Sequence, residues 1–134
     1  MDGVDRRRQV AYEVVWKHRG VIKRFFDCVT DHDMLQSVLD TESDRRFDDL
    51  RYVINDFSAI TGCSVRIPTV EDISVADVGA ARTNPSIRIA VVTTTPEIRM
   101  LAERYASSPL NVYETRIFAS SAEARSWLGL AASG

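Results

Sequence analysis

Hydrophobic and polar residues alternate along this 134-residue chain with two periods, and these periods predict strands and helices in turn. Apolar residues at every second position indicate a strand, and apolar residues three or four positions apart indicate a helix. The first two segments that indicate strands, 10–17 and 21–29, are separated by His18-Arg19-Gly20, a combination typical of a turn. We therefore predict that the fold opens with an antiparallel hairpin.

After the hairpin, helices and single strands alternate to the end of the chain. Polar residues typical of helix N-caps mark the starts of three helices, at Thr30, Thr95 and Ser120. The almost uniformly apolar segment 87–93 is typical of a parallel strand that is covered on both faces. The order ββαβαβαβα predicts an α/β fold with a single, mostly parallel sheet, an opening antiparallel hairpin, and helices mainly on one face.

Two further predictions concern the first and second helices. The first helix carries an apolar stripe at helical spacing, which we expect to face the core. The stripe consists of Met34, Leu35, Val38 and Leu39. The second helix is predicted to begin at Thr69, because this residue opens a sequence similar to a capping box.

The segment 51–63 is predicted to supply the central strand and a binding edge of the sheet. Residues 52–54 suit a buried strand, which we expect to end at Asp56 and to open into a loop. Ligands of open parallel sheets gather at the carboxyl ends of the strands, and the next strand delivers Thr94 and Thr95 to the same edge. The candidate binding residues are Asp56, Ser58, Thr61, Ser64, Thr94 and Thr95.

Asp56 beside a threonine is the arrangement by which receiver domains of two-component signalling accept a phosphoryl group. That chemistry also requires an acidic pair after the first strand, to hold Mg²⁺, and a lysine after the last strand. Here the residues after the first strand are basic and those after the last strand are small. We therefore favour a structural interpretation, in which Asp56 caps its own loop as an Asx-turn.

Length and composition predict one globular domain. A hydrophobic content of 45% and a charged content of 27% are ordinary for a soluble protein. We expect the domain to span residues 10–129, with a disordered or loosely attached N-terminal tail, 1–9, and a flexible C-terminal tail, 130–134. There is no membrane-spanning run of ~20 apolar residues, no apolar segment typical of a signal peptide, and no Cys pattern of a disulfide framework. These features predict a cytoplasmic protein.

The charges are unevenly distributed along the sequence. Residues 25–80 hold 12 acidic and 4 basic side chains, whereas the whole chain has a net charge of −2. Phosphate groups repel carboxylates, so the acidic middle argues against a nucleic-acid surface. The basic run Arg6-Arg7-Arg8 is typical of a solvated terminus. We therefore expect no nucleic-acid partner.

The motifs of common catalytic and cofactor sites are missing from the sequence. His18 and His32 have no second ligand at the spacing of a metal site, and no Cys-x-x-Cys occurs. There is no glycine-rich loop for a nucleotide, and no serine lies in Gly-x-Ser-x-Gly. We therefore predict that the protein is not an enzyme and that it holds no metal and no cofactor.

Three parts of the sequence together resemble STAS domains, the domains of anti-sigma-factor antagonists and of sulphate-transporter tails. They are the hairpin, the segment 55–61 at the end of the third strand, and the closing segment 112–128. The similarity is greatest to the stand-alone STAS-like branch of the SpoIIAA-like fold, which has an Asp-x-x-x-x-Thr/Ser loop and a C-terminal helix with Trp-Leu. The resemblance implies a SpoIIAA-like fold and a regulatory role.

Phosphorylated STAS antagonists are similar to one another in an Asp-Ser-Ser/Ala-Gly segment that opens the helix after the third strand. The corresponding region of this chain, 62–68, lacks that segment. Ser64 and Ser74 are the serines nearest to this role, but neither has the flanking acid and glycine. Regulation by serine phosphorylation is therefore an alternative and not the first hypothesis.

The main hypothesis is a non-catalytic STAS-like module that binds a protein partner or a small apolar ligand. One face of the hairpin is only half apolar, so we expect it to meet solvent or a partner. Tyr12 and Phe25 are the predicted interface residues, and a homodimer through this face is one expected assembly. The alternatives are a phospho-regulated switch, either receiver-like at Asp56 or serine-phosphorylated at Ser64, and, ranked last, a small enzyme of unknown class.

Overall fold

The structure is a computed structural model that describes residues 10–131. In chain order the elements are β1 (Tyr12–Lys17), β2 (Gly20–Val29), α1 (Asp31–Glu42), a 3₁₀ helix (Arg45–Asp49), β3 (Tyr52–Cys63), α2 (Ile67–Ala80), β4 (Arg88–Val92), α3 (Pro96–Ser107), β5 (Glu114–Phe118) and α4 (Ser121–Leu128). Within that range they form one five-stranded sheet, β1-β2-β3-β4-β5, in which β1 and β2 are antiparallel and the other pairs are parallel. The predicted α/β fold and element order are confirmed. The predicted tail 1–9, and residues 132–134 of the tail 130–134, lie outside the described residues.

The described helices lie on both faces of the sheet, three on one face and one on the other. α1, α2 and α3 cover the face where Val53 and Val91 form the larger core with Ile98 of α3. On the opposite face, Ala124 and Leu128 of α4 pack into a second, smaller core. The prediction that the helices lie mainly on one face is confirmed.

The opening hairpin turns tightly before β2. Arg19 has a positive φ of 56°, and it is followed directly by Gly20. A Cβ atom at Gly20 would lie 2.0 Å from the ring of Tyr52 on β3, so only glycine permits the close approach of these two residues. The turn predicted at this position is confirmed. The turn requires a glycine because Gly20 packs against β3, which is far away in the sequence.

Tyr12 and Phe25 are core residues, and the prediction that they form an interface is wrong. Tyr12 is 7% exposed and Phe25 is 0% exposed. The Phe25 ring stacks on the Phe57 ring with centroids 4.5 Å apart, and the Tyr12 hydroxyl donates a hydrogen bond to Asp40 at 2.5 Å. A period-two pattern separates the two faces of a strand but does not say which face a helix covers. Here the helical layer covers the face that carries these rings.

β3 continues for seven residues beyond Asp56, to Cys63, so the prediction of a loop in this segment is wrong. β2 runs alongside β3 over the added length, with Phe26 opposite Ala59. Shifts of the register let β3 accommodate its extra residues. A long parallel neighbour therefore decides the extent of this strand, overriding the small residues that suggested a loop.

α1 buries a polar stripe, and the predicted apolar stripe faces the core only in part, through Met34. Asp33, Ser37 and Thr41 are buried at a spacing of four residues, whereas Leu39 is 54% exposed. The predicted N-cap at Thr30 is confirmed, and its backbone and hydroxyl both donate to the Asp33 carboxylate. Because these polar groups are hydrogen-bonded inside the fold, their burial is tolerated.

α2 begins at Ile67, so the predicted start at Thr69 is wrong and Thr69 lies buried in the first turn. Asp31, the first residue of α1, accepts a hydrogen bond from the backbone N–H of Arg66 at 2.8 Å. The Asp31 carboxylate, from α1, thus caps the N-terminus of α2 in place of a neighbouring side chain. No local sequence pattern predicts a cap of this kind.

Candidate functional site

The register of β3 and β4 brings part of the predicted binding edge together. Asp56 lies opposite Val92, the last residue of β4, so the loop that holds Thr94 starts next to this pair. Thr94 is exposed, and Thr95 is the N-cap residue of α3. Asp56, Thr94 and Thr95 therefore lie near the carboxyl end of β4, whereas β2 and β3 continue to pair beyond this point.

The Asp56 carboxylate is engaged locally. Its Oδ1 atom accepts hydrogen bonds from the backbone N–H of Ser58 at 2.9 Å and from the Ser58 hydroxyl at 2.6 Å. This is the hydrogen-bond pattern of the Asx-turn that the sequence favoured, although it occurs at a register shift within β3 and not in a loop. The two side chains thus stabilise the local backbone.

Thr61 and Ser64 lie apart from Asp56. Thr61 follows Asp56 by five positions in β3, which corresponds to roughly 16 Å at the rise of a β-strand. Both side chains are exposed, and the backbone N–H of Ser64 donates to the Val29 carbonyl at 2.9 Å. The predicted binding residues therefore form two groups and not one site.

The segment after Ser64 already binds a carboxylate from another part of the chain. Asp31 accepts hydrogen bonds from the backbone N–H and from the Nε atom of Arg66, each at 2.8 Å. Burial acts to raise the pKa of Asp31, but the hydrogen bonds from Arg66 and Thr69 outweigh it and lower the pKa. The start of α2 is therefore occupied by a negative group that belongs to the chain itself.

β2 and β3 project beyond the rest of the sheet as a two-stranded ribbon, which we call the β2–β3 extension: residues 26–29 and 57–63. β4 pairs with β3 only as far as Asp56, so within the described residues the backbone of 57–63 has no strand partner on that side. The extension carries exposed side chains, among them Phe26, Cys28 and Ala59, and Phe26 is 36% exposed. An unpaired strand edge beside an exposed aromatic ring is a surface on which another chain can dock.

A cavity of about 120 Å³ lies between the helical layer and the sheet. Asn55 and Phe57, the two neighbours of Asp56 in sequence, both line it. Most of the other lining side chains are apolar, such as Ile89 and Val91 from the sheet. A cavity therefore lies on the inner side of the strand that was predicted to carry the binding edge.

Polar side chains from five elements meet in the wall of this cavity, and we call them the interior polar cluster. They are Lys23 from β2, Glu42 from α1, Asn55 from β3, Asp77 from α2 and Tyr105 from α3. The Lys23 ammonium donates to the Ser37 carbonyl at 3.0 Å, and the Tyr105 hydroxyl donates to Asp77 at 2.5 Å. The cluster joins all three helices of the layer to the sheet.

Burial shifts the pKa values of Lys23 and Glu42 in this cluster. Lys23 is 4% exposed, and desolvation lowers its pKa to about 8 although the carboxyl groups of Asp77 and Glu42 oppose the shift. For Glu42, burial raises the pKa to about 9, and the hydrogen bond with Asp77 and its charge act in the same direction. Glu42 therefore carries its proton at neutral pH.

Asn55 is the member of the cluster with an unsatisfied atom. Its Oδ1 atom is buried and has no hydrogen-bond partner among residues 10–131. Asn55 lies opposite Lys23 in the parallel register of β2 and β3, so both side chains project from neighbouring strands into the cavity. A buried acceptor without a partner is uncommon and calls for a ligand or a water molecule.

The interior polar cluster was not predicted from the sequence. Lys23 stands at an inward position of a strand face that also holds Val21 and Phe25, and Asn55 interrupts an otherwise apolar strand. A polar residue within an apolar pattern is the available signal, and Asp77 in the mostly apolar α2 is a third instance. Only the fold shows that these separate exceptions meet.

The β2–β3 extension and the cavity both offer contacts for binding. Among residues 10–131 no group of three or more His, Cys, Asp or Glu side chains could hold a metal ion. In the same range no helix has the length and apolar character needed to cross a membrane. The β2–β3 extension is suited to a polypeptide, and the cavity is suited to a small molecule.

Comparison with solved structures identifies the fold. The structure of the anti-sigma factor antagonist SpoIIAA in its unphosphorylated form aligns with a TM-score of 0.59 and 12% identity, over 89% of this chain and 98% of that chain. The structure of the Bacillus cell fate determinant SpoIIAA in the phosphorylated form gives 0.58 and 13%, over 88% and 99%. No protein-family model and no curated protein matches the sequence. The chain therefore has the SpoIIAA-like fold that its resemblance to STAS domains predicted.

Proposed function

We propose that this chain is a non-catalytic regulatory module that acts by binding a protein partner. The observation that carries the proposal is the shared fold, which spans 98% of one SpoIIAA chain and 99% of the other. SpoIIAA is named as an anti-sigma factor antagonist, a regulatory protein, and we extend this class of role to the present chain. The chemistry of the described residues, which is that of binding, supports the same proposal.

The β2–β3 extension supports the proposal as the docking surface. Its free strand edge offers backbone donors and acceptors to a partner strand, and Phe26 offers an apolar contact beside them. In the isolated domain such an edge favours non-specific pairing, so a partner that covers it removes a liability. We therefore place the partner along residues 57–63.

The charge of the surrounding sequence indicates the chemistry of the partner. The extension belongs to the segment 25–80, which holds 12 acidic and 4 basic side chains, and Asp27 is exposed on the extension itself. Opposite charges across an interface accelerate association and select the correct partner. The partner is accordingly a protein segment with basic side chains, and its binding weakens as the salt concentration rises.

The test compares two variants that differ in where a charge is placed. Phe26→Glu adds a negative charge to the extension, whereas Met100→Glu adds the same charge to an exposed position of α3, on another part of the surface. Each immobilised variant and the unmodified protein is incubated with an extract of the source cells, and bound proteins are compared quantitatively. Sedimentation of the purified protein at micromolar concentration establishes whether the partner is a second copy of the chain.

We expect one bound protein to be retained by the unmodified chain and by Met100→Glu, and to be reduced at least tenfold by Phe26→Glu. A bound protein that is retained equally by all three chains would show that the extension is not the docking surface. A strict monomer that retains no protein would refute the proposed function itself. Both substitutions are at exposed positions, where effects on stability are usually within about 0.5 kcal/mol.

Phosphorylation of Asp56 or Ser64 is the second candidate, and the contacts of both residues speak against it. The Asp56 carboxylate is hydrogen-bonded by Ser58, and Ser64 stands two residues before the Arg66 backbone that already binds the Asp31 carboxylate. A phosphoryl group on Ser64 would add negative charge beside that carboxylate. Incubation with acetyl phosphate and Mg²⁺, or with a kinase, followed by intact-mass measurement, tests this candidate. A species heavier by about 80 Da, the mass of one phosphoryl group, that maps to either residue would support it.

A further inference from the structure

The cavity has the size and the walls of a small-molecule site. Its volume of about 120 Å³ is close to that of engineered cavities, on the order of 150 Å³, that bind benzene when lined by Leu, Ile and Phe. Phe57 and Val91 from the sheet and Ile98 and Leu101 from α3 supply comparable apolar walls. An apolar body about the size of one six-membered ring therefore fits the space.

One part of the wall is polar, which distinguishes this cavity from a packing defect. Lys23 and Asn55 are opposite each other on neighbouring strands, and both line the cavity. The Ser37 carbonyl takes one of the three N–H donors of Lys23, and the buried Oδ1 of Asn55 has no partner among the described residues. A donor and an unpaired acceptor thus line the cavity from neighbouring strands.

The charges around Lys23 indicate a neutral ligand. Its ammonium already interacts with the carboxyl group of Asp77 from α2. An anionic ligand would have to compete with this group and lose its own hydration inside the fold. A hydroxyl group has neither difficulty, because it donates one hydrogen bond and accepts another without carrying charge.

We propose that the cavity binds a small neutral molecule with an apolar body and one hydroxyl group, such as phenol or an alcohol of similar size. The hydroxyl donates to Asn55 Oδ1 and accepts a hydrogen bond from Lys23 Nζ, while the body contacts the apolar walls. This site lies under the helical layer, and of its described lining residues Phe57 alone also belongs to the β2–β3 extension. The proposal does not rest on the proposed protein partner.

Phenol and toluene provide a matched pair of probes, because they differ only by a hydroxyl in place of a methyl group. Binding of each to the full chain is measured by titration calorimetry and by the chemical shifts of backbone amides. We expect phenol to bind at least tenfold more tightly than toluene, because only phenol pairs with the buried polar atoms. The shifts are expected at residues around the cavity, on β2, β3 and α3.

Three variants assign the preference to the site. Asn55→Leu removes the acceptor at similar volume, so the preference for phenol is expected to disappear while toluene still binds. Asn111→Leu makes the same change outside the cavity and is expected to keep the preference. Ala102→Leu extends a side chain from α3 into the cavity and is expected to abolish binding of both probes. If Asn55→Leu does not fold, Ala102→Leu still tests the location of the site.

Several results would overturn the proposal. They are an absence of saturable binding for both probes at millimolar concentration, equal affinity for phenol and toluene, or a preference that survives Asn55→Leu. Binding that persists in Ala102→Leu would place the ligand elsewhere. A crystal structure grown with phenol in which only water molecules occupy the cavity and satisfy Asn55 would also refute it.

Discussion

Replacement of Glu42 by glutamine is expected to remove much of the dependence of stability on pH. Glu42 is the last residue of α1 and faces groups on every neighbouring element: Asp77 on α2, Lys23 on β2, Tyr105 on α3, and Tyr113 just before β5. Burial, then the hydrogen bond with Asp77 and its charge, raise the pKa of Glu42 from 4.5 to about 9, and Lys23 opposes this shift. Glutamine keeps an N–H donor for Asp77 but does not titrate.

The sign of the effect follows from the direction of the shift. Because the pKa of Glu42 is higher in the folded state, the folded state holds the proton over the range in which the unfolded state has lost it. The stabilisation is complete below pH 4.5 and is lost as the pH rises through about 9. Lys23 acts at higher pH: its lowered pKa, about 8, makes stability rise between pH 8 and 10.5.

Between pH 5 and pH 8 the folded state holds one more proton than the unfolded state, on Glu42, and this difference sets the change in the free energy of unfolding. A full proton difference changes the free energy of unfolding by about 1.4 kcal/mol per pH unit, or about 4 kcal/mol over this range. Solvent reaches part of Glu42 and screens its interactions, so we expect a smaller loss of about 1–2 kcal/mol. We expect this loss in the unmodified protein and not in Glu42→Gln.

Unfolding by urea, followed by circular dichroism at pH 5, 6, 7 and 8, measures the effect. The unmodified protein should lose about 1–2 kcal/mol relative to Glu42→Gln as the pH rises through this range. Glu103→Gln, at an exposed position on α3, is the matched control and should follow the unmodified protein. Parallel pH profiles for the unmodified protein and Glu42→Gln would refute the assignment of this proton to Glu42.

The remaining predictions concern packing and buried hydrogen bonds, and each is checked by the free energy of unfolding. Phe25→Ala should lower the free energy of unfolding by about 3–5 kcal/mol, and Phe26→Ala by less than about 1 kcal/mol. The reverse order would contradict the burial of Phe25. The Asn84 side chain donates hydrogen bonds to the buried backbone carbonyls of Phe47 and Leu50. Asn84→Ala should therefore lower the free energy of unfolding by about 2–4 kcal/mol, and a loss below about 1 kcal/mol would contradict the importance of these two hydrogen bonds. Gly20→Ala should cost about 1–3 kcal/mol through its clash with Tyr52, and a smaller cost in a Tyr52→Ala background would confirm the cause.

Features that depend on residues close together in the chain were predictable from the sequence. The N-caps at Thr30 and Ser120 both occur as predicted. The alternation of strand and helix patterns also predicted the order of the elements, and with it the parallel sheet. At the candidate site, the local hydrogen bonds of Asp56 followed the same rule.

Features that depend on which elements lie side by side were decided by the tertiary structure alone. The length of β3 follows from its pairing with β2, and the burial of Phe25 follows from the helical layer above it. The interior polar cluster brings Lys23, Asn55 and Asp77 together from three elements that are distant in sequence. Periodicity describes one element at a time, so the sequence determined the elements and their order, whereas packing decided which faces are closed and which polar groups meet inside.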